Sequence, residues 1–273
     1  MIDLSAPSPV GPLLRQWRER RRMSQLTLAI EAEISSRHLS FVETGRSNPS
    51  REMVLLLAEV LDVPPRARND LLAAAGYAPI YRESNLDAPE MSQFRRALDF
   101  ILRQQEPYPA IVLDRYWNIL LGNEGTARFM GLWMDAEAID ALGPPNGLRL
   151  ICHPEALRPY IVNWEATAAA LIQWLHRDLL RSADEGIRLL LEELLSYPDM
   201  PRNWRTLDLD APTAPFLAIE MQKGEAHLKF FTTLTTLGTP YDITLHELRI
   251  ESFFPADDST NTALRRLNAA GVT

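Results

Sequence analysis

Residues 24–50, SQLTLAIEAEISSRHLSFVETGRSNPS, constrain the fold more than any other stretch of this chain. They spell two short helices separated by a tight turn and followed by an arginine-bearing loop. Ser24 suits the cap of a helix that begins at Gln25, and Ser35 the cap of a second over residues 36–44, because a serine hydroxyl accepts from the unpaired amides of a first turn. Gly45 stops the second helix. There Leu39 and Val42, with Ile34, form an inward stripe, which turns Ser36, Arg37, Ser40 and Phe41 outward. An outward face of this kind is either solvated surface or a surface that reads bases.

The flanking elements favour the second reading. A helix over 10–22 packs Leu14 and Trp17. Another over 51–61, capped by Ser50, packs Val54, Leu57, Ala58 and Leu61, and a fifth over 67–75 closes at Gly76. Five short helices in this order resemble the Cro/repressor type of helix-turn-helix domain, the XRE family. The likeness is carried by Gln25, Leu28-Ala29, Ile34-Ser35, Leu39, Glu43, Gly45 and Pro49-Ser50.

The resemblance implies roles residue by residue. Gln25 matches a glutamine that touches the DNA backbone. Ser36, Arg37 and Phe41 match positions that face base edges in the major groove, where an arginine grips guanine in two places and a ring meets a thymine methyl. His38 and Ser40 flank these and either reach DNA or cover the helix shoulder. Arg46 and Asn48 match phosphate-contacting positions, and Arg18 and Glu43 a structural pair that ties the first helix to the recognition helix. Many relatives place Gly in the sharp turn where this chain has Ala32-Glu33, so a slightly different turn is expected.

A chain of 273 residues, 46% of them hydrophobic, accommodates two folded domains. Residues 1–82 hold 11 Arg and 9 Asp or Glu, net +2, which leaves −10 of the total −8 to the remainder. Arg15, Arg18, Arg20, Arg21 and Arg22 form a local positive edge that either meets phosphate or is an ordinary helix end. With the acidic mass tethered to it, DNA binding should depend strongly on salt. Prolines and polar residues at 77–91 break the helical periodicity, so we expect domains over 1–80 and 92–256.

In the second domain a helix is expected over 93–104, then strands over 108–113 and 117–121 joined by Asp114-Arg115-Tyr116. A short helix over 124–130 follows, then an irregular segment with Gly143-Pro144-Pro145-Asn146-Gly147. A long helix over 154–181 and another over 184–196 come next. Strands are expected over 216–221, 227–236 and 243–254; in the last, Leu248 and Ile250 alternate with Glu247, Arg249 and Glu251, the pattern of a sheet with one wet face. The fold class is therefore α+β: an all-α five-helix headpiece, then a five-stranded antiparallel sheet with helices, a layout that resembles the PAS fold.

The whole arrangement resembles the MmyB-like regulators, in which an XRE headpiece precedes a PAS-like ligand-binding domain. The carrying stretches are SSRHLSFVETGRSNPSREMVLLLAEVLDVP, EPYPAIVLDRYWNILLGN and LGTPYDITLHELRIESFFPAD. The resemblance implies that the second domain holds a fatty-acid-like or other apolar small molecule. Trp117, Phe129, Trp133, Trp164, Leu171 and Trp174, with the apolar residues of the strands over 216–221 and 227–237, either line such a cavity or build packed core. For a carboxylate ligand the candidate partners are Arg158, His176 and Arg177.

There is no Gly-rich phosphate loop, no G-x-S-x-G elbow and no H-E-x-x-H helix, and the histidines at 38, 153, 176, 227 and 246 are too scattered for a metal site. Cys152 is the only cysteine, so no disulfide framework exists and a reducing cytoplasm suits the chain. Its neighbour His153 does not make it a nucleophile, since sequence neighbours rarely orient as a catalytic pair. No apolar run reaches the ~20 residues of a membrane helix. The expected function is that of a cytoplasmic, sequence-specific DNA-binding regulator, dimeric because two headpieces on successive major grooves match a palindromic site. Neither a cofactor nor catalysis is expected. The alternative is a protein-binding adaptor or antitoxin-like module with a structural dimerisation domain.

Overall fold

The computed structural model describes residues 10–182, 184–202, 204, 218–237 and 242–270. They form two compact units, one of residues 10–84 with 242–246, the other of 85–237 with 247–270.

The first unit contains α1 (Val10–Arg20), α2 (Gln25–Glu31), α3 (Ser36–Glu43), α4 (Arg51–Val60) and α5 (Pro65–Ala74). Three of these start on a serine: the hydroxyls of Ser24, Ser35 and Ser50 accept from the amides of Thr27, His38 and Met53 at 3.0, 3.1 and 3.2 Å. α5 starts on Pro64-Pro65, whose fixed φ and missing N–H suit a first turn. It therefore begins before the expected Ala67. Leu14, Leu28, Leu39, Leu57 and Leu72 meet in one sealed core. At Gly11, α1 runs so close to α3 that an added Cβ would lie 2.4 Å from the Val42 carbonyl oxygen. Only glycine fits there.

The sharp turn between α2 and α3 does not deviate as expected. Glu33 takes φ 52°, and the amides of Glu33 and Ile34 donate to the carbonyls of Ile30 and Ala29 at 3.1 and 2.9 Å. This is the helix-ending pattern usually made with glycine, here formed by a glutamate at a conformational cost.

The second unit contains α6 (Ser92–Gln104), β1 (Ala110–Leu113), β2 (Ile119–Gly122), α7 (Glu124–Trp133), α8 (Ala136–Ala141), α9 (Gly147–Cys152), α10 (Trp164–Ser182), α11 (Glu185–Ser196), β3 (Ile219–Lys223), β4 (Ala226–Thr235), β5 (Arg249–Pro255) and α13 (Asp258–Ala270). A short α12 (Ile243–Glu247) precedes β5. The strands make one five-stranded sheet in the order β2-β1-β5-β4-β3, antiparallel at every pair. The chain is α+β, as its residue pattern implies.

Four local expectations are corrected. The segment after α7 is not irregular: Asp135 and Asn146 accept from the amides of Ala138 and Arg149 at 2.8 and 3.1 Å and so start α8 and α9. The long helix begins at Trp164, because Pro159 sits in a separate single turn, Arg158–Tyr160, and Ile161 then bridges Met221. Residues 243–247 are helical, since the Asp242 carboxylate accepts from the Thr244 amide at 2.9 Å and caps a turn. Residues 258–270 add a helix, α13, behind Asp257, which accepts from the Thr260 amide at 2.7 Å. The expected strand start at Phe216 lies outside the described residues.

The face of β5 expected to be wet is instead turned to the core. Arg249, Glu251 and Phe253 share a face with Ile111 and Leu113 of β1 and with Phe230 of β4, the side against which the helical layer builds its core. Val112 and Ile250, on the opposite face, are buried too.

Candidate nucleic-acid interface and ligand cavity

α3 is held to the headpiece by its inner side and presents its outer one. Glu43, at its inner end, is buried and receives both Nε and Nη2 of Arg18, at 2.7 and 3.0 Å. The third Arg18 nitrogen donates to the Met23 carbonyl at 2.8 Å. Gln25 joins this network, its amide donating to Glu43 Oε2 at 2.7 Å, so one of its two amide hydrogens remains for another acceptor. The network fixes the register of α1, α2 and α3 about a fully hydrogen-bonded buried charge pair.

Outward lie Ser36 and Arg37, exposed, with His38, Ser40 and Phe41 half-buried. The Arg37 guanidinium lies 5.4 Å from the Phe41 ring centroid and that of Arg46 lies 5.9 Å from it. One ring thus carries two cations, and among the described residues neither has a carboxylate within ion-pair distance. Arg46 is placed by its backbone. Gly45, at φ 72°, donates to the Val42 carbonyl at 3.1 Å, and the Arg46 amide donates to that of Phe41 at 2.8 Å, which folds the loop back over α3. Asn48 is exposed in the same loop. Ser36, Arg37, Ser40, Phe41 and Arg46 therefore share one face, flanked by His38 and Asn48, while Gln25 is drawn toward Glu43.

The arginines of α1 are mostly engaged. Arg15 pairs with Glu19 at 2.7 Å, Arg18 with Glu43, and Arg20 lies over Trp17. Arg21 donates to the carbonyls of Leu61 and Asp62 at 2.8 and 2.6 Å, capping the end of α4. The positive edge read from sequence is largely internal cross-linking.

In the second unit a cavity of about 220 Å³ opens between sheet and helices. The sheet supplies Ile111, Met221, Phe230 and Phe253, and the helical layer Phe129 and Leu150. Of the six residues singled out as ligand candidates, Phe129 lines it. Trp117, Trp133, Trp164, Leu171 and Trp174 are absent from its walls, because their side chains are used in adjacent packing. Trp117 meets Trp174 edge-on at 5.0 Å, Trp133 meets Phe129 at 5.9 Å, and Leu171 packs with the α10–α11 core. Trp164 carries the Arg158 guanidinium at 4.7 Å. The candidate carboxylate partners are elsewhere as well: Arg158 donates to the Pro198 carbonyl at 2.5 Å, His176 meets Trp204 edge-on at 5.0 Å, and Arg177 is exposed.

Residue patterning missed Glu251. It is the one ionisable side chain among the described residues that line the cavity, and it is 8% exposed. Burial pushes its carboxyl up to about 7, against the smaller opposing effect of a hydrogen bond with Thr232. The available signal was an acid set within the apolar run of a strand. Beside the cavity, and sharing Ile139, Pro145 and Leu150 with it, a polar groove of about 490 Å³ contains Arg149, His153, Glu193 and Tyr197. There Arg149 grips Glu193 at 2.7 and 2.8 Å and holds that carboxyl below its ordinary value.

Residues 94–267 match the ligand binding domain of MmyB-like transcription regulators, and residues 10–71 match a helix-turn-helix domain. The chain belongs to the MmyB-like transcription regulators. An MmyB-like regulator of this build combines a DNA-binding helix-turn-helix unit with a ligand-binding one. Over 84 residues it is 37% identical to the HTH-type transcriptional regulator RghRB of Bacillus subtilis strain 168, covering 30% of this chain and 58% of that relative. The chain thus spans about 58% of that relative's length. Among solved structures, the restriction-modification controller protein C.AhdI from Aeromonas hydrophila is 34% identical, with 25% of this chain and 98% of that one covered and a TM-score of 0.22. An RNA-binding Light-Oxygen-Voltage receptor aligns with 97% of this chain and 64% of its own at 8% identity and TM-score 0.29.

Two further features of this MmyB-like chain bear on its chemistry. The Cys152 thiol is fully buried, and burial pushes it up to about 12, which opposes the thiolate form. No described helix is long and apolar enough to cross a membrane.

Proposed function

We propose that this MmyB-like regulator reads a specific duplex sequence through α3, as a homodimer in the cytoplasm, and that a small molecule in the second unit alters its DNA affinity without catalysis. The observation that carries this reading is the outward cluster of Arg37, Phe41 and Arg46, two cations on one ring with no carboxylate partner among the described residues. Arg37 and Phe41 are the base readers, with Ser36, His38 and Ser40 beside them; Arg46, Asn48 and Gln25 hold phosphate. A dimer follows from economy, since one headpiece reads few base pairs whereas two, ~34 Å apart, match a palindromic site. The ligand is apolar, of the fatty-acid-like or a related class, and lies in the cavity beside Phe129 and Phe230. It shifts DNA affinity to the extent that it binds the two states of the regulator unequally.

Selection of bound fragments from a genomic library supplies the operator and its symmetry. On that operator, Arg37→Ala lowers affinity by about 1–3 kcal/mol and relaxes preference at one base pair. Unchanged binding would favour a protein-binding module instead.

A further inference from the structure

Glu251 sits in the central strand of the sheet, opposite Ile111 of β1 and Leu234 of β4. Its neighbours on that face are the apolar residues that wall the cavity, among them Phe230 and Phe253. Its hydrogen-bond partner is Thr232, and among the described residues no cation pairs with it. Arg249 lies two residues along on the same face and is only partly engaged, its Nη1 having no hydrogen-bond partner among the described residues, but it is not one of the cavity's wall residues. It donates to Asp178 at 2.8 Å and stacks on Trp174 at 4.6 Å. A carboxyl group offers about four lone-pair sites, so acceptor capacity is left over toward the cavity.

Stability does not account for this residue. A carboxyl buried in an apolar wall with one neutral partner costs free energy that a leucine of similar size would not. Ligand sites, in contrast, combine apolar walls with a few placed polar groups, and Glu251 is the one ionisable group this cavity has.

We propose that the cavity takes a small amphiphile with an apolar body and a single hydrogen-bond-donating head, an amine or a hydroxyl, seated on the Glu251 carboxyl. This rests on the reading that the second unit binds an apolar-bodied ligand, and it departs from a fatty acid itself by replacing the carboxylate head with a donor. At about pH 7.5, above the value near 7 to which burial raises Glu251, a carboxylate head would meet an ionised carboxyl in the same apolar space and is disfavoured by repulsion. The volume, about 220 Å³, lies above the ~150 Å³ that holds benzene and below the ~300 Å³ of common drug-sized sites, which suits a body of about eight carbons or one substituted ring.

The test is calorimetry on the full chain at about pH 7.5 with octylamine, 1-octanol, octanoate and benzene, repeated with Glu251→Gln. The amine or the alcohol should bind roughly tenfold or more tightly than octanoate, and Glu251→Gln should weaken the amine by a similar factor while the alcohol, which an amide carbonyl still accepts, is retained. Amine above alcohol identifies a cationic head, and alcohol above amine a neutral one. Octanoate binding as well as both, or an amine affinity unchanged in Glu251→Gln, overturns the assignment. Benzene binding with no preference among heads leaves a ligand cavity and removes only the role of Glu251, whereas failure of all four to bind overturns both. The ranking on the unaltered chain stands whether or not the variant folds.

Discussion

Glu43 and Glu251 are both buried carboxyls, 5% and 8% exposed, and the two units treat them oppositely. Glu43 receives two bonds from Arg18 and one from Gln25, so its charge is matched and its lone pairs are used. Glu251 has Thr232 and an apolar cavity. The contrast extends beyond these two residues. Among the described residues, the buried side-chain atoms without a protein hydrogen-bond partner, Arg115 Nε, Trp117 Nε1, Trp133 Nε1, Thr167 Oγ1 and Arg249 Nη1, all belong to the second unit. A unit that must present one rigid surface to a duplex closes its polar network internally, while a unit that receives a guest leaves part of its interior unfilled and unpaired.

The comparison is broken most directly by removing the matched carboxylate. Glu43→Ala leaves the buried Arg18 with only its bond to the Met23 carbonyl and a 4.0 Å approach to the exposed Glu19, and we expect a loss of about 3 kcal/mol from the first unit, measured by urea unfolding. A loss below 1 kcal/mol would mean that the pair is solvated and the contrast false. The unmatched carboxyl should instead reveal itself through pH. Glu251 titrates near 7 in the fold against an ordinary value of 4.5, so the folded state holds its proton to higher pH than the unfolded chain does. Its contribution to stability is therefore complete below about pH 4.5 and declines as pH rises to 7, by about 3 kcal/mol in all. Thr232, Lys223 and the Arg249–Asp178 pair are among the polar groups on its side of the sheet, and Thr126 lines the same cavity. Urea unfolding from pH 5 to 8 should show this slope in the native chain and a flatter one in Glu251→Gln. The smallest effect sharpens the picture of a rigid headpiece. Glu33→Gly relieves the positive φ at the turn before α3 and should raise headpiece stability by about 1 kcal/mol or less, read from the urea midpoint.

The first unit was more legible in sequence than the second, and the reason is range. Ser24, Ser35 and Ser50 each cap a helix through a bond to an amide three residues on, a contact that lies within the segment itself. Gly45 is equally local. In the second unit the strand parity of β5 was readable, since Arg249, Glu251 and Phe253 must share a face. Which face met water was not, because both are covered by elements distant in sequence. The same limit explains Trp117 and Trp174: their size marked them as interior, but only the fold decides that they meet each other and not a cavity. Asp242 and Asp257 carried local cap signals at α12 and α13 that the alternation of β5 outweighed. Gly11 was invisible for a related reason, as the α3 carbonyls that exclude a side chain there lie more than thirty residues away.

The headpiece is not a contiguous cassette. Ile243 donates its amide to the Arg82 carbonyl at 2.7 Å, Thr244 its hydroxyl to that of Ser84 at 2.7 Å, and the Ser84 hydroxyl donates to the Asp242 carboxylate at 2.7 Å. Transplanting the first 84 residues onto a foreign partner would strip those carbonyls of their donors. A recombination event that shuffles this reader between genes must therefore carry a piece encoded about 160 codons downstream, or tolerate a frayed end where the reader stops.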